Sequence, residues 1–315
     1  MEDRRVRIPL LLAGLLLVAP AGRAQGVEEL CTRATMTAAV GEIGAESFRY
    51  GGTERFVCTY TPSSLPDGIE HPLVIALHGG SGNASQMMAD NHGIIALAEA
   101  EGYVAVFPNG LPRAGCAGVP CLDNNWSQPD NVFFVAELID RQLATGLVDA
   151  DRIHLVGFSG GAKLIYDIVA TPGFPHAIDS VATVAGAFGL YHAGRDADGF
   201  VVTQLQEGTP VSALLVQGGQ DPRLPSAGGL DETRREAHVS FRTKVDYWRL
   251  VTGLETDPGQ AVDVAALDPG APADLAARRY GQGGAAVVEV LDPRLGHAWP
   301  DWNVMALAGE LFEGD

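Results

Sequence analysis

The stretch Arg152-Ile153-His154-Leu155-Val156-Gly157-Phe158-Ser159-Gly160-Gly161 runs from an apolar segment straight into G-x-S-x-G. Ala162 to Ala170 follows at once with helical spacing. Strand, sharp turn and helix form the setting of a nucleophile elbow, where a strained turn lifts a serine hydroxyl clear of a sheet. Gly157 and Gly161 have no Cβ, so strand and helix can close in around Ser159, and Gly160 adds backbone latitude. A bare G-x-S-x-G also arises in Gly-rich strand-to-helix loops, and the flanking periodicity separates the two cases. Ser159 is the candidate nucleophile.

A serine hydroxyl is barely ionised near neutral pH and needs a base beside it. In the α/β-hydrolase arrangement the acid and then the histidine follow the serine, each in a loop after a strand. Val211 to Val216 is a buried-strand run, and Gln217-Gly218-Gly219-Gln220-Asp221-Pro222 is the loop after it. Ala285 to Leu291 is another, followed by Asp292-Pro293-Arg294-Leu295-Gly296-His297. Ser159, Asp221 and His297 therefore stand in the required order. His297 is the expected general base, and Asp221 fixes its tautomer and stabilises the imidazolium. One oxyanion donor is expected from the backbone N–H of Gly160. The other comes from His78-Gly79-Gly80-Ser81-Gly82, which follows the strand Pro72 to Leu77, with Gly80 and Ser81 both candidates.

Leu77 to Gly82, Tyr103 to Gly110, Gly157 to Gly161, the loop ending in Asp221-Pro222 and, above all, Gly296-His297-Ala298-Trp299-Pro300 resemble one family. It is the polyhydroxybutyrate depolymerase and feruloyl esterase family of secreted α/β-hydrolases, and the resemblance runs from about Glu46 to the C-terminus. It implies carboxylic ester hydrolysis with Ser159, Asp221 and His297 in the roles above. Two positions depart from the family pattern. Gln217-Gly218 stands where the family usually has a histidine-glycine pair, and Gly160 stands where it often has asparagine or alanine.

The chain has 315 residues, 46% of them hydrophobic, enough for one large core. Met1 to Arg7 holds three arginines, Ile8 to Val18 is apolar, and Gly22-Arg23-Ala24 offers small residues. This reads as a signal peptide over 1–24, too short in its apolar part for a spanning helix, followed by a single catalytic domain over 25–315. The expected location is secreted, extracellular or periplasmic. Formal net charge is −18, and loss of Met1 to Ala24, with four arginines and two acids, leaves about −20. Such a surface repels phosphate backbones, which argues against nucleic acid as a partner. Neither a membrane nor an obligate protein partner is indicated. An even number of cysteines in an oxidising compartment points to disulfides. Of three possible pairings, Cys31–Cys58 and Cys116–Cys121 are favoured, and the spacing does not suit a zinc site.

Strands near Arg55, Pro72, Tyr103, Arg152, Ser180, Val211 and Ala285 alternate with helical stretches. The helices are expected at Gln86 to Glu101, Asn131 to Thr145, Gly161 to Ala170, Ala237 to Leu250 and Val304 to Leu311. Alternation of this kind predicts a mostly parallel, doubly wound sheet with both faces covered. Ser64 to His71 and Thr256 to Pro272 read as surface loops. Trp299 and Trp126 are candidate aromatic walls for an acyl group. His78 and His154 read as structural histidines. Asp196 to Gly199 lacks the outer ligands of a calcium loop, and Asn83-Ala84-Ser85 is a glycosylation sequon.

The sequence thus predicts a secreted serine ester hydrolase without metal or organic cofactor, acting on a polyester or its oligomers. Alternatives are a feruloyl or acetyl polysaccharide esterase, a serine peptidase, and a non-catalytic binding protein on a hydrolase scaffold.

Overall fold

The computed structural model describes residues 31, 36–37, 39–112, 124–126, 130–188, 193–196, 199–202, 211–230, 237–282 and 284–314. Its main sheet comprises β1 (Glu42–Tyr50), β2 (Thr53–Thr61), β3 (His71–Leu77), β4 (Val104–Pro108), β5 (Val148–Phe158), β6 (Ser180–Val184), β7 (Ser212–Gly218), β8 (Gln260–Ala261), β9 (Ala276–Tyr280) and β10 (Val287–Asp292). The spatial order is β1-β2-β4-β3-β5-β6-β7-β10-β9-β8. From β4 to β10 every neighbouring pair in that order is parallel. Both edges are closed by antiparallel strands.

The central strands are buried and apolar over most of their length because both faces are covered, with a polar, exposed stretch only at the start of β5. All seven residues of β3 are buried. Leu73, Ile75 and Leu77 join one core cluster, whereas Val74 and Ala76 join the other, as the twofold period of a strand requires. The first cluster packs under Phe134 and Leu138 of the helix Asn131–Leu143, Ile165 of the helix Gly160–Val169 and Trp248 of the helix Phe241–Val251. The second packs under Ile94 of the helix Ile94–Glu101 and Leu307 and Phe312 of the helix Val304–Glu313.

The expected helix from Gln86 to Glu101 is broken into Ala84–Met87, a single 3₁₀ turn Asp90–His92, and Ile94–Glu101. Gly93 makes the break with φ of 72°, and a Cβ there would lie 2.7 Å from Asn303 Oδ1. Asn83 caps the first piece by accepting from Gln86 N, and it is buried, so the sequon residue serves as a helix cap. The helix expected from Ala237 begins at Phe241, where the Ser240 hydroxyl accepts from Thr243 N. The stretch read as a loop from Thr256 contains β8 and a short helix, Val264–Leu267. The edge strand β1 and the next-to-edge strand β9 also went unread, since their polar, half-exposed residues give a weak apolar signal.

Cys31 and Cys58 form a disulfide with their Cα atoms 5.6 Å apart, tying the N-terminal segment to β2. Cys116, Cys121 and the segment 1–24 lie outside the described residues. Among the described residues no helix is long and apolar enough to cross a membrane.

Candidate active site

β5 ends at Phe158 and a helix starts at Gly160, which leaves Ser159 alone to turn the chain. Ser159 has φ of 50° and ψ of −108°, an expensive conformation for a residue with a Cβ. The turn is fixed by its surroundings. Ser159 N donates to Val184 O at the end of β6. A Cβ on Gly161 would lie 2.1 Å from Leu77 O, and one on Gly157 would lie 2.6 Å from Ala162 N. At Gly160 the nearest atom, Gly80 N, would be 3.3 Å away, so that site alone has some room for a side chain.

β7 and β10 are parallel neighbours, so the loops after them leave the sheet side by side. Gly219 N donates to Asp292 O and Gln220 N to Leu295 O, zipping the two loops together. Gly218 permits this approach, since a Cβ there would meet Leu295 O at 2.3 Å. The result brings three distant residues into one line. Ser159 Oγ lies 2.8 Å from His297 Nε2, and His297 Nδ1 lies 2.7 Å from Asp221 Oδ2. The Asp221 side chain is 0% exposed and that of His297 is 9% exposed. The other Asp221 oxygen accepts the backbone N–H groups of Arg223 and Leu224. Burial pushes the Asp221 carboxyl up, but the His297 hydrogen bond, the two backbone N–H groups and the His297 charge bring it below its ordinary value. A carboxylate at Oδ2 requires the proton of the pair on His297 Nδ1. Nε2 is then bare and faces the serine hydroxyl.

The loop after β3 reaches Ser159 from the other side. Gly79 packs against the Phe158 ring and the Ser159 Cβ, and Gly80 N lies near Gly160. His78 holds this loop from within. Its Nδ1 is 2.6 Å from Gly79 O, so that nitrogen carries the proton, and the bare Nε2 accepts from Gly110 N at 2.9 Å. Burial lowers His78 to about 4, with the Gly79 bond opposing, so it stays neutral at ordinary pH. Ser81 has φ of 65°, and Gly82 N donates back to Gly79 O, closing the turn.

Both candidate tryptophans are 8% exposed. Trp126 donates its indole N–H to His78 O and lies against the His78 ring, directly behind the 78–82 loop. Trp299 touches Phe158, which touches His297, and His92 lies on the far side of Trp299. His154 bonds Ser180 Oγ through Nδ1 and stacks on Phe312, with burial and the Arg152 charge lowering it to about 3.

Phe158, His92 and Lys244 were not singled out from sequence, and Gln217 only as a departure from the family pattern, yet all sit at or behind this site. Lys244 had a readable signal. It falls on the apolar stripe Phe241, Val245, Trp248 of its helix, where a lysine is out of place. Among the described residues no cluster of His, Cys, Asp and Glu is arranged to hold a metal.

No protein-family model matches the chain. Three relatives are similar to it in sequence. "Putative esterase NocK" of Nocardia uniformis subsp. tsuyamanensis is 23% identical over 246 residues, 75% of this chain and 67% of that protein. The bifunctional acetylxylan esterase/xylanase XynS20E of Neocallimastix patriciarum is 28% identical over 141 residues, 44% of this chain and 18% of its own length. Poly(3-hydroxyalkanoate) depolymerase C of Paucimonas lemoignei is 27% identical over 134 residues, 40% of this chain and 30% of the depolymerase. The chain therefore spans less than a third of the last two proteins. Among solved structures, an acetyl xylan esterase from Aspergillus awamori aligns with a TM-score of 0.60 at 14% identity, over 87% of this chain and 99% of that one. The chain has the α/β-hydrolase fold, and it shares that fold with esterases and serine hydrolases acting on carboxylic ester bonds.

Proposed function

We propose that this chain hydrolyses carboxylic esters through an acyl-enzyme on Ser159. The observation that carries the reading is the unbroken line from Ser159 Oγ through His297 to Asp221, at 2.8 and 2.7 Å. His297 Nε2 takes the hydroxyl proton as Oγ attacks the ester carbonyl, and Asp221 stabilises the imidazolium that forms. The negative charge on the tetrahedral oxygen falls to the backbone N–H groups of Gly160 and Gly80. Gly80 is preferred to Ser81 because its nitrogen lies beside Gly160. His297 then protonates the leaving alkoxide. In the second half it draws a proton from water, and the hydroxide equivalent releases the acid from Ser159.

Within this reading the substrate is a hydroxyalkanoate polyester or oligoester, supported by the family motifs around His78 and His297 and by the depolymerase relative. A second reading, an acetyl ester on a polysaccharide, is supported by the two acetylxylan esterases. Trp299 is the acyl-side wall, next to Phe158. Trp126 stands behind the oxyanion loop as the second aromatic of the pocket. The arginine-rich start and the apolar stretch of the first 24 residues support secretion of a single catalytic domain.

The test is purified protein on hydroxybutyrate oligomers, acetylated xylan, methyl ferulate and a peptide amide, with Ser159→Ala alongside. Ester turnover should fall by up to roughly 10⁶-fold in Ser159→Ala, and adding His297→Ala should cost little more. Retention of a tenth of the activity in Ser159→Ala removes the assignment. Faster turnover of acetylated xylan than of the oligomers selects the second substrate.

A further inference from the structure

A lysine stands behind the acid of the line just described. Lys244 is 2% exposed, and its Nζ donates to Gln217 Oε1 at 3.1 Å. Gln217 is 1% exposed, and its Nε2 donates to Asp221 Oδ2 at 3.3 Å and to Leu224 O at 3.0 Å. An ammonium offers three donors and no acceptor, so it can face only the oxygen end of the Gln217 amide. The nitrogen end must then face Asp221. The polarity of the chain Lys244 to Gln217 to Asp221 is therefore fixed by chemistry, and it meets His297 at the same carboxylate oxygen.

We propose that Lys244 and Gln217 are positioning residues for the triad acid, a buried cation and an amide that set the pH range over which His297 works as a base. The proposal rests on the hydrolytic reading above and deepens it.

Three observations carry it. A buried ammonium is costly, and a methionine would fill the same space, so packing does not account for a lysine here. Burial lowers Lys244 to about 8, with the Asp221 charge opposing, so the Asp221 carboxylate helps to keep the buried ammonium charged. And the surroundings leave few competitors. Asp292, at the end of β10, is engaged by the backbone N–H groups of Arg294 and Leu295 and by Trp302 Nε1. Arg223, in the acid loop, is exposed and meets Asp221 only through its backbone. Arg242 and Asp246, on the lysine's own helix, pair with each other at the surface. Glu289 of β10 is taken by Tyr280 and Arg242.

The consequence follows from charge. While Lys244 is charged, the positive charge behind Asp221 offsets part of that carboxylate's field at His297. Solvent protons then compete less well for the imidazole, and the base stays free at lower pH. Removing the charge should make His297 easier to protonate and move the acid limb of kcat/KM upwards.

The experiment compares the full-length chain with Lys244→Met, which keeps length and removes charge. kcat/KM for a short acetate ester is followed by pH-stat from about pH 5 to about pH 9, per active site counted with a fluorophosphonate. The expected result is an acid limb displaced upwards by about one pH unit, with the plateau within about threefold of the parent. A lowered plateau with an unmoved limb would mean that Lys244 is merely structural, and the proposal falls. Should Lys244→Met not fold, the parent protein supplies the reading. The low-field proton signal on His297 Nδ1 should pass through an inflection near pH 8 as Lys244 loses its proton, and a flat trace overturns the proposal. A parent enzyme with no acid limb, or an active Ser159→Ala, instead defeats the hydrolytic reading itself.

Discussion

Two loops converge on Ser159, and they are held in different currencies of interaction. The proposed oxyanion loop, 78–82, is fixed by neutral groups: backbone turns, the His78 ring with both nitrogens engaged, and the Trp126 N–H. The acid loop, 217–224, is fixed by charge: a carboxylate, two backbone N–H groups, an amide and a buried ammonium. The first loop is short in sequence, and its partners from outside, Gly110 N and the Trp126 N–H, are neutral. The second draws on Lys244, which lies 20 or more residues beyond it on a separate helix. A site can thus be preorganised either by sterics and neutral hydrogen bonds or by balanced charge, and the two halves should fail under different insults.

The largest effect should come from the steric side. In Gly161→Ala a Cβ would meet the Leu77 carbonyl oxygen at 2.1 Å, and backbone cannot step aside as a side chain can. A loss of at least about 3 kcal/mol in urea unfolding is expected, whereas Gly160→Ala should stay within about 1 kcal/mol. Equal stability of the two variants would show that the elbow is not held by close approach.

Next, His78→Phe should keep the ring's bulk and its contact with Trp126 while losing both hydrogen bonds. Gly79 and Gly80 would drift, and kcat should fall about a hundredfold with KM changed far less, the signature of a misplaced oxyanion donor. A rise in KM at constant kcat would place the loop in substrate binding instead.

The smallest effect separates the halves by pH. His78 titrates at about 4 and His154 at about 3 in the folded chain, both below the ordinary histidine value of 6.5. The unfolded chain therefore binds more protons in that interval. The stability gained by keeping these rings neutral is whole above 6.5 and is lost progressively as pH falls towards 4. Urea midpoints should decline across that window, with each ring contributing a slope of about one proton. In His78→Phe the slope should shrink by about one proton, and an unchanged slope would remove His78 from this account.

How much of this was readable depends on how far apart the participants are. The elbow is written in five consecutive residues, and the oxyanion loop in five more, so motif and steric demand coincide. The order Ser159, Asp221, His297 was readable because each follows an apolar run that the sheet then buries. The helix break at Gly93 was not, since the left-handed turn at φ of 72° and the close approach of Asn303 that call for a glycine there are set by the packing of the fold. Strands β1 and β9, at and next to the two edges of the sheet, escaped for a related reason. Half of each faces solvent, and their pairing partners, not their composition, make them strands.

By itself the sequence determined the central alternation of strands and helices, the strand–turn–helix around Ser159 and the chemical types of the proposed catalytic line, because local sterics and hydrophobic period act over a few residues. Only the tertiary structure decided that His297 Nδ1 meets Asp221 Oδ2, because that depends on β7 and β10 lying side by side and on two loops zipped through Gly218. The same holds for the lysine behind the acid. Sequence shows a charge on an apolar stripe; the packing of that helix against the sheet turns it into a buried partner of Asp221, since burial is what makes an isolated charge seek one.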